Sequence, residues 1–348
     1  MRKRSLRALV VLGLVGGLLA VGPAASPDSG RARSAAQSDL GPAMAAQNRH
    51  NDELMRNPDV VGTGAGHAPD GRPAVYVLER APGARGVPSE VDGVPVVEKV
   101  TGDIAAVRAG PGVAAIPGPK VNNRSRFDRP VPIGVSTGNQ GACVAGTIGA
   151  RVTAGGDVYA LSNNHVYALE NQAPIGSNVL QPGPYDTHCR VDPADAIGQL
   201  TDFEPIVFSD SANNTIDAAI ASSTTAQLGD STPSAGYGTP TSATTTATVG
   251  LNVQKYGRTS SLTRGTVTIV NVTLLVGYTS GTARFVHQVI VETTKPFLKS
   301  GDSGSLVVTD PGNSPVGLLF AGDASGKLAI ANPISDVLGA FGVTVDGT

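Results

Sequence analysis

The chain has 348 residues, enough for about two domains and a sizeable core, and it carries 44 glycines and 25 prolines against only 16% charged and 4% aromatic residues. That balance favours many turns and short strands over helices. A net charge of −2 leaves no basic footprint for nucleic acid and no lysine-rich face for a membrane surface, so neither is expected as a partner.

Arg2, Lys3, Arg4 and Arg7 precede an apolar run over residues 8–21, shorter than the about 20 residues a bilayer span requires, and small Gly22 and Ala24 follow it. Residues 1–24 therefore read as an export signal that is removed, with no membrane association afterwards. Residues 25–59 form a flexible and then helical segment: residues 25–37 are small, polar and aperiodic, and residues 44–55 suit a short helix stopped at Asn57-Pro58. Residues 60–115 are expected as a small α+β domain of their own, with strands over 75–78, 94–100 and 104–107 separated by Asp70-Gly71, Asp92-Gly93 and Gly102-Asp103. Residues 116–130 follow as an exposed linker, with Pro117 and Pro119 breaking the chain and Arg124, Arg126 and Arg129 in a polar context, so the preceding part could act as an intramolecular pro-domain released here.

From residue 131 onward almost everything reads as strand and turn. Residues 266–276 and 285–291 alternate β-branched and apolar side chains, and residues 146–152, 158–162, 305–309 and 315–320 are shorter versions. Residues 334–341 are the one late helical candidate, and the threonine-rich 239–248 suits a loop with an edge strand. The class is all-β, a sandwich or barrels. Cys143 and Cys189, two cysteines in an exported chain, are expected to pair, a loop closure worth about 4 kcal/mol in the chain-entropy model.

The chemistry gathers around Ser300-Gly301-Asp302-Ser303-Gly304. A serine between glycines, just before the apolar run Leu306-Val307-Val308, presents its hydroxyl at a sharp turn, and the amides of Gly301 and Ser303 can converge on one oxyanion. A serine hydroxyl needs a base, usually a histidine oriented by a carboxylate. Of the five histidines, His165 closes the strand in Ser162-Asn163-Asn164-His165-Val166, while His50 and His67 fall outside this region. Asp217 lies in the apolar setting Ile216-Asp217-Ala218-Ala219-Ile220, where a carboxylate needs a partner; Asp195 and Asp210 are the alternatives. His188 beside Cys189 lacks the further ligands a metal site requires, so no metal is expected.

The order His165, Asp217, Ser303 in these surroundings resembles the chymotrypsin or trypsin-like serine peptidases, over roughly residues 131–345 of an expected 131–348 peptidase domain. Gly317 to Gly322 is similar to the strand that binds substrate backbone in that family, Tyr256-Gly257-Arg258-Thr259 is similar to a pattern in its bacterial members, and Asn163-Asn164-His165-Val166 resembles the narrow-leaf type branch. The resemblance implies a chymotrypsin-like double β-barrel preceded by a small α+β domain, with the triad in the cleft between the barrels. It implies a serine endopeptidase acting on polypeptide through an acyl-enzyme, without cofactor, with Gly301 and Ser303 as oxyanion donors. Phe297, six positions before Ser303, stands where trypsin-like enzymes carry an aspartate, which argues against cleavage after Arg or Lys; Phe320, Ala321 and Gly322 would complete the substrate-binding wall. Lys295 and Lys299 flank Phe297, and His287 is similar to a histidine lining the pocket of glutamate-selective relatives, although a strand histidine is more often structural. Ser305 replaces a usual glycine, no cysteine follows His165, and Ile133-Gly134-Val135 is a poor match to an inserted amino terminus. A non-catalytic barrel that binds peptides or surfaces, and an esterase on the same fold, are the alternatives; turnover and labelling of Ser303 separate them.

Overall fold

The structure, a computed structural model, describes residues 39–110 and 122–348; the export signal of residues 1–24 and the first part of the expected linker lie outside the described residues. The first unit holds helix α1 (Gly41–Met55) and strands β1 (Val60–His67), β2 (Pro73–Glu79), β3 (Glu90–Val91), β4 (Val94–Val100) and β5 (Ala105–Ala106). Next come β6 (Ser136–Asn139), β7 (Gly146–Thr147), β8 (Ala150–Ala154), β9 (Asp157–Ser162), helix α2 (Asn164–Tyr167), β10 (Asn178–Leu180), β11 (Ala196–Phe203), β12 (Asn213–Asn214) and β13 (Ala219–Ser223). The remainder is β14 (Asn252–Gly257), β15 (Ser261–Gly277), β16 (Thr282–Glu292), β17 (Leu306–Thr309), β18 (Pro315–Gly322), β19 (Leu328–Pro333), helix α3 (Ile334–Phe341) and β20 (Thr344–Val345).

Two rings of antiparallel strands result. In the first, β6 pairs β7, β8 pairs β9, β9 pairs β13, β13 pairs β11, β11 pairs β10 and β10 returns to β6. β7 and β8 are halves of one run kinked at Ile148-Gly149, so the ring has six members; the sequence pattern had suggested one unbroken strand there. In the second ring β14, β15, β16, β19, β18 and β17 pair in that order, and β17 returns to β14. The architecture is the double β-barrel expected from the sequence, and closure leaves neither ring a long bare edge.

Alternation along the strands fills each ring. Val135, Ile148, Val179, Leu200 and Ala221 form the first core; Val253, Val267, Val291, Val307 and Leu319 belong to the second. A third apolar cluster joins the barrels: Leu161 and Ile220 from the first meet Leu306 and Leu318 from the second, capped by Ile334 and Val337 of α3. This shared core makes the seam between the barrels a fixed surface, and the functional side chains stand along it.

The first unit is joined to the second barrel through its sheet. β1 pairs antiparallel with the outer half of β15, Gly62 opposite Leu274 and Ala65 opposite Val270, so β1, β2, β4 and β3 continue the second barrel's sheet. Helix α1 belongs to this unit, because Ala46 and Leu54 pack on Val60, Val75 and Val77. It begins at Gly41, earlier than expected, since Pro42 fits a first helical turn. Residues 239–248 remain loop throughout, without the edge strand. The described part of the expected linker is mostly exposed, with one anchored residue: Asn123 is fully buried, donates to the Gly257 carbonyl at 3.1 Å and accepts from the Tyr256 hydroxyl at 2.9 Å. The 104–107 strand contracts to Ala105–Ala106, for a reason that lies in the site.

Candidate active site

His165 sits in the single turn α2 just beyond β9, fully buried. Its Nδ1 is 2.5 Å from Asp217 Oδ2, and its backbone N–H donates to Asp217 Oδ1 at 3.1 Å. Asp217 precedes β13, which pairs with β9, and that pairing brings the two residues together. The Tyr278 hydroxyl donates to Asp217 Oδ2 at 2.9 Å, with its ring edge-on to His165 at 5.9 Å between centroids. Asn332 anchors the backbone of Asp217: its Oδ1 accepts from Asp217 N at 3.1 Å and its Nδ2 donates to Asp217 O at 3.3 Å, while Asn163 Nδ2 donates to that carbonyl at 2.7 Å. With Nδ1 committed to the carboxylate, Nε2 is the ring atom left free for proton transfer, and it is buried without a hydrogen-bond partner among the described residues. Burial pushes the Tyr278 phenol, and the adjacent Asp217 carboxylate pushes it further, well above the ordinary tyrosine range, so it stays a hydrogen donor.

Ser303 lies on the loop before β17, also fully buried, and reaches the first barrel through short bonds. Thr147 N–H donates to the Ser303 carbonyl at 2.8 Å, Thr147 Oγ1 donates to the Gly301 carbonyl at 2.9 Å, and Ser162 Oγ, three residues before His165, donates to the Thr147 carbonyl at 2.8 Å. Two glycines permit this approach. Gly301 (φ +94°) and Gly304 (φ +90°) are left-handed, and a Cβ would strike the Arg258 guanidinium at one and Ser162 with the Thr147 carbonyl at the other. The Ser303 hydroxyl donates to the Phe320 carbonyl at 3.2 Å, so it is turned away from hydrogen bonding with His165 in this state; catalytic hydrogen bonds commonly form only with substrate in place.

Asp302 fixes that loop. Its carboxylate accepts from the N–H groups of Lys299 at 2.8 Å, Thr259 at 2.8 Å and Ser260 at 3.1 Å and from Ser260 Oγ at 2.5 Å, with Lys255 Nζ 3.2 Å away. Lys255 and Asp302 are both fully buried. Burial opposes the Asp302 charge, but Lys255 and the Ser260 and Thr259 donors outweigh it and hold the carboxyl below its ordinary range. Arg258, paired with Asp186 near the disulfide Cys143–Cys189, ties the same loop to the first barrel.

Of the remaining candidates, Phe297 is fully buried in the second core, and Phe320, Ala321 and Gly322 lie on β18. That strand is occupied by the chain itself: β5 pairs with it antiparallel, Ala106 opposite Ala321 and Ala105 opposite Gly322, and Val107 N–H donates to the Phe320 carbonyl at 3.3 Å. The N–H of Gly301, an expected oxyanion donor, donates to the Val107 carbonyl. His287 is exposed on β16 and His188 is exposed, Asp195 pairs with Arg126, and Asp210 is exposed, so none of these joins the site. Sequence reasoning missed Tyr278, Asn332 and Lys255. Asn332 in Ala329-Ile330-Ala331-Asn332 is a polar residue in an apolar strand and carried a signal, whereas Lys255 lies among polar residues in β14 and Tyr278 sits in a turn, and neither carried one.

No family model matches the sequence, and no curated protein is similar to it. Among solved structures the chain is similar to a glutamic acid specific serine protease (TM-score 0.46, 23% identity, 62% of this chain and 100% of that one). It is also similar to Thermobifida fusca protease A (0.45, 19%, 63% and 100%) and to Cellulomonas bogoriensis chymotrypsin (0.44, 20%, 64% and 100%).

Proposed function

We propose that the chain is a secreted serine endopeptidase in which Ser303 is the nucleophile, His165 the general base and then acid, and Asp217 the group that orients His165. The observation that carries this reading is the 2.5 Å contact of Nδ1 with Asp217, which leaves a buried, unpartnered Nε2 on the seam that holds Ser303. Rotation about the Cα–Cβ bond of Ser303 releases its hydroxyl from the Phe320 carbonyl toward Nε2. The oxygen attacks an acyl carbon as Nε2 takes its proton, and the imidazolium so formed is stabilised by Asp217. The N–H groups of Gly301 and Ser303 receive the oxyanion, an interaction worth about 10²–10³ in rate per donor. His165 returns the proton to the leaving amine, and water hydrolyses the acyl-enzyme by the same route. Phe297 belongs to the apolar cluster on which Val107 packs, an environment that favours an uncharged side chain before the cut. The disulfide between Cys143 and Cys189 suits an exported chain, consistent with residues 1–24 as a signal that is removed.

The test is incubation of the purified chain with a peptide library and with matched ester substrates. Cleavage by the native chain and none by Ser303→Ala is the expected result; turnover of esters without any peptide would leave an esterase, and no turnover of either would leave a binding barrel.

A further inference from the structure

Residues 105–109 lie in the cleft in the manner of a bound substrate. Their backbone adds a strand to β18, the Val107 carbonyl meets the Gly301 amide, Ser300 Oγ donates to the Arg108 carbonyl at 2.6 Å, and Ala109 exchanges both backbone hydrogen bonds with Ala145 at 2.9 Å. Contacts thus run continuously on both sides of one peptide bond, Val107–Arg108, at the expected oxyanion donor. The side chains are received as well. Val107 packs against the apolar cluster that contains Phe297 and Leu298. Arg108 reaches Glu170 at 3.2 Å, Thr279 Oγ1 at 2.8 Å and the His165 carbonyl at 3.4 Å.

Glu170 is built to read a cation. Its side chain is only 2% exposed, and its oxygens accept from the N–H groups of Thr279 at 3.3 Å and Ser280 at 2.7 Å. Burial opposes its charge, but the Ser280 hydrogen bond and Arg108 outweigh that and hold the carboxyl below its ordinary range. A buried carboxylate satisfied by two neutral amides keeps its negative charge directed at whatever side chain lies beside it.

We infer that the chain cuts itself between Val107 and Arg108, and that Glu170 selects a basic residue immediately after the cut, in this segment and in polypeptide substrates alike. The inference rests on the peptidase reading above and adds to it a bond and a specificity residue. Ser303 Oγ bonds to the Val107 carbonyl carbon while its proton passes to His165, giving a tetrahedral adduct. The bond from that carbon to Arg108 nitrogen then breaks as His165 protonates the nitrogen, leaving an ester on Ser303, and water hydrolyses that ester to the Val107 carboxylate and restores Ser303. The products are a chain ending at Val107 and one beginning with the free amine of Arg108. The first product keeps its pairing with β18 and the second its pairing with Ala145, so the cut ends separate only when the strand added by β5 is displaced.

The experiment follows the full chain by intact mass and by sequencing of new amino termini, at several protein concentrations, beside Ser303→Ala and with a fluorophosphonate as an independent probe of Ser303. Expected is a new terminus at Arg108, formed at a concentration-independent rate and absent from Ser303→Ala. Replacing Arg108 by Met slows the cut about tenfold, the factor that loss of about 1.4 kcal/mol of charge recognition produces, while Arg108→Lys stays within about threefold; Glu170→Gln matches Arg108→Met and adds nothing to it. A labelled Ser303 with no terminus at Arg108, or Arg108→Met cut as fast as the native chain, overturns the inference and leaves the peptidase reading standing. Neither label nor cut overturns both.

Discussion

Two fully buried aspartates stand on either side of the seam, and their surroundings differ in one respect that governs what each can do. Asp302 faces a fixed cation, Lys255, beside its amide and hydroxyl donors; Asp217 is satisfied by neutral donors alone, the Tyr278 hydroxyl and the His165 amide, together with the imidazole. Lys255 offsets the first charge, and Asp302 fixes the loop of Ser303 through its bonds to Lys299, Thr259 and Ser260. The second carboxylate has no such cation beside it, only the His165 imidazole at 2.5 Å. At equal burial one carboxylate thus has a cation for a neighbour and the other an imidazole, the setting that the proposed mechanism requires of Asp217.

The sharpest way to break this contrast is Asp217→Asn, which preserves shape but removes the charge and the tautomer it enforces. Turnover of an ester substrate is expected to fall about 10⁴-fold, with the thermal midpoint little changed. If Asp217 were only structural, stability would fall instead. The converse substitution, Lys255→Met, leaves Asp302 as an uncompensated buried charge and is expected to cost about 3–5 kcal/mol in denaturant unfolding; adding Asp302→Asn should recover a good part of it. The same pair fixes a pH dependence. The Asp302 carboxyl is lower in the folded chain than its unfolded value of about 3.9, so its contribution is fully present above that value and is lost as pH falls through the folded one. Asp302→Asn should flatten that acid limb of the stability curve, measured between pH 6 and 2 by thermal unfolding. The smallest effect is expected from Tyr278→Phe, which removes one neutral donor and should cost about 1–2 kcal/mol and lower kcat several-fold. An unchanged kcat would mean that the hydroxyl does not tune Asp217.

What the sequence displayed and what it hid follow from distance along the chain. Ser303, His165 and Asp217 were legible because each is a polar residue in a local setting that makes no sense for packing: a serine between glycines, a histidine ending a strand, an acid within an apolar run. The barrel strands were legible from alternation, although the kink at Ile148-Gly149 was not, since a strand shared between two partners has no separate pattern. Lys255 and Tyr278 were not read because their meaning depends on partners 47 and 61 positions away, Asp302 and Asp217. The strands of the first unit were legible because turns bound each of them; the pairing of β1 with β15 is a match of backbones and leaves no mark in side-chain pattern. The short 104–107 strand was read as a member of that unit, whereas Ala105–Ala106 pairs with β18 across the cleft.

In the proposed mechanism the His165–Asp217 pair makes the hydroxyl of Ser303 nucleophilic. The most direct test is the rate at which a small fluorophosphonate adds to the purified chain, followed by intact mass and localised by peptide mapping. One adduct is expected, on Ser303, formed at least about a hundredfold more slowly in His165→Ala. No adduct on Ser303 after prolonged exposure, or equal rates in the two proteins, would contradict it.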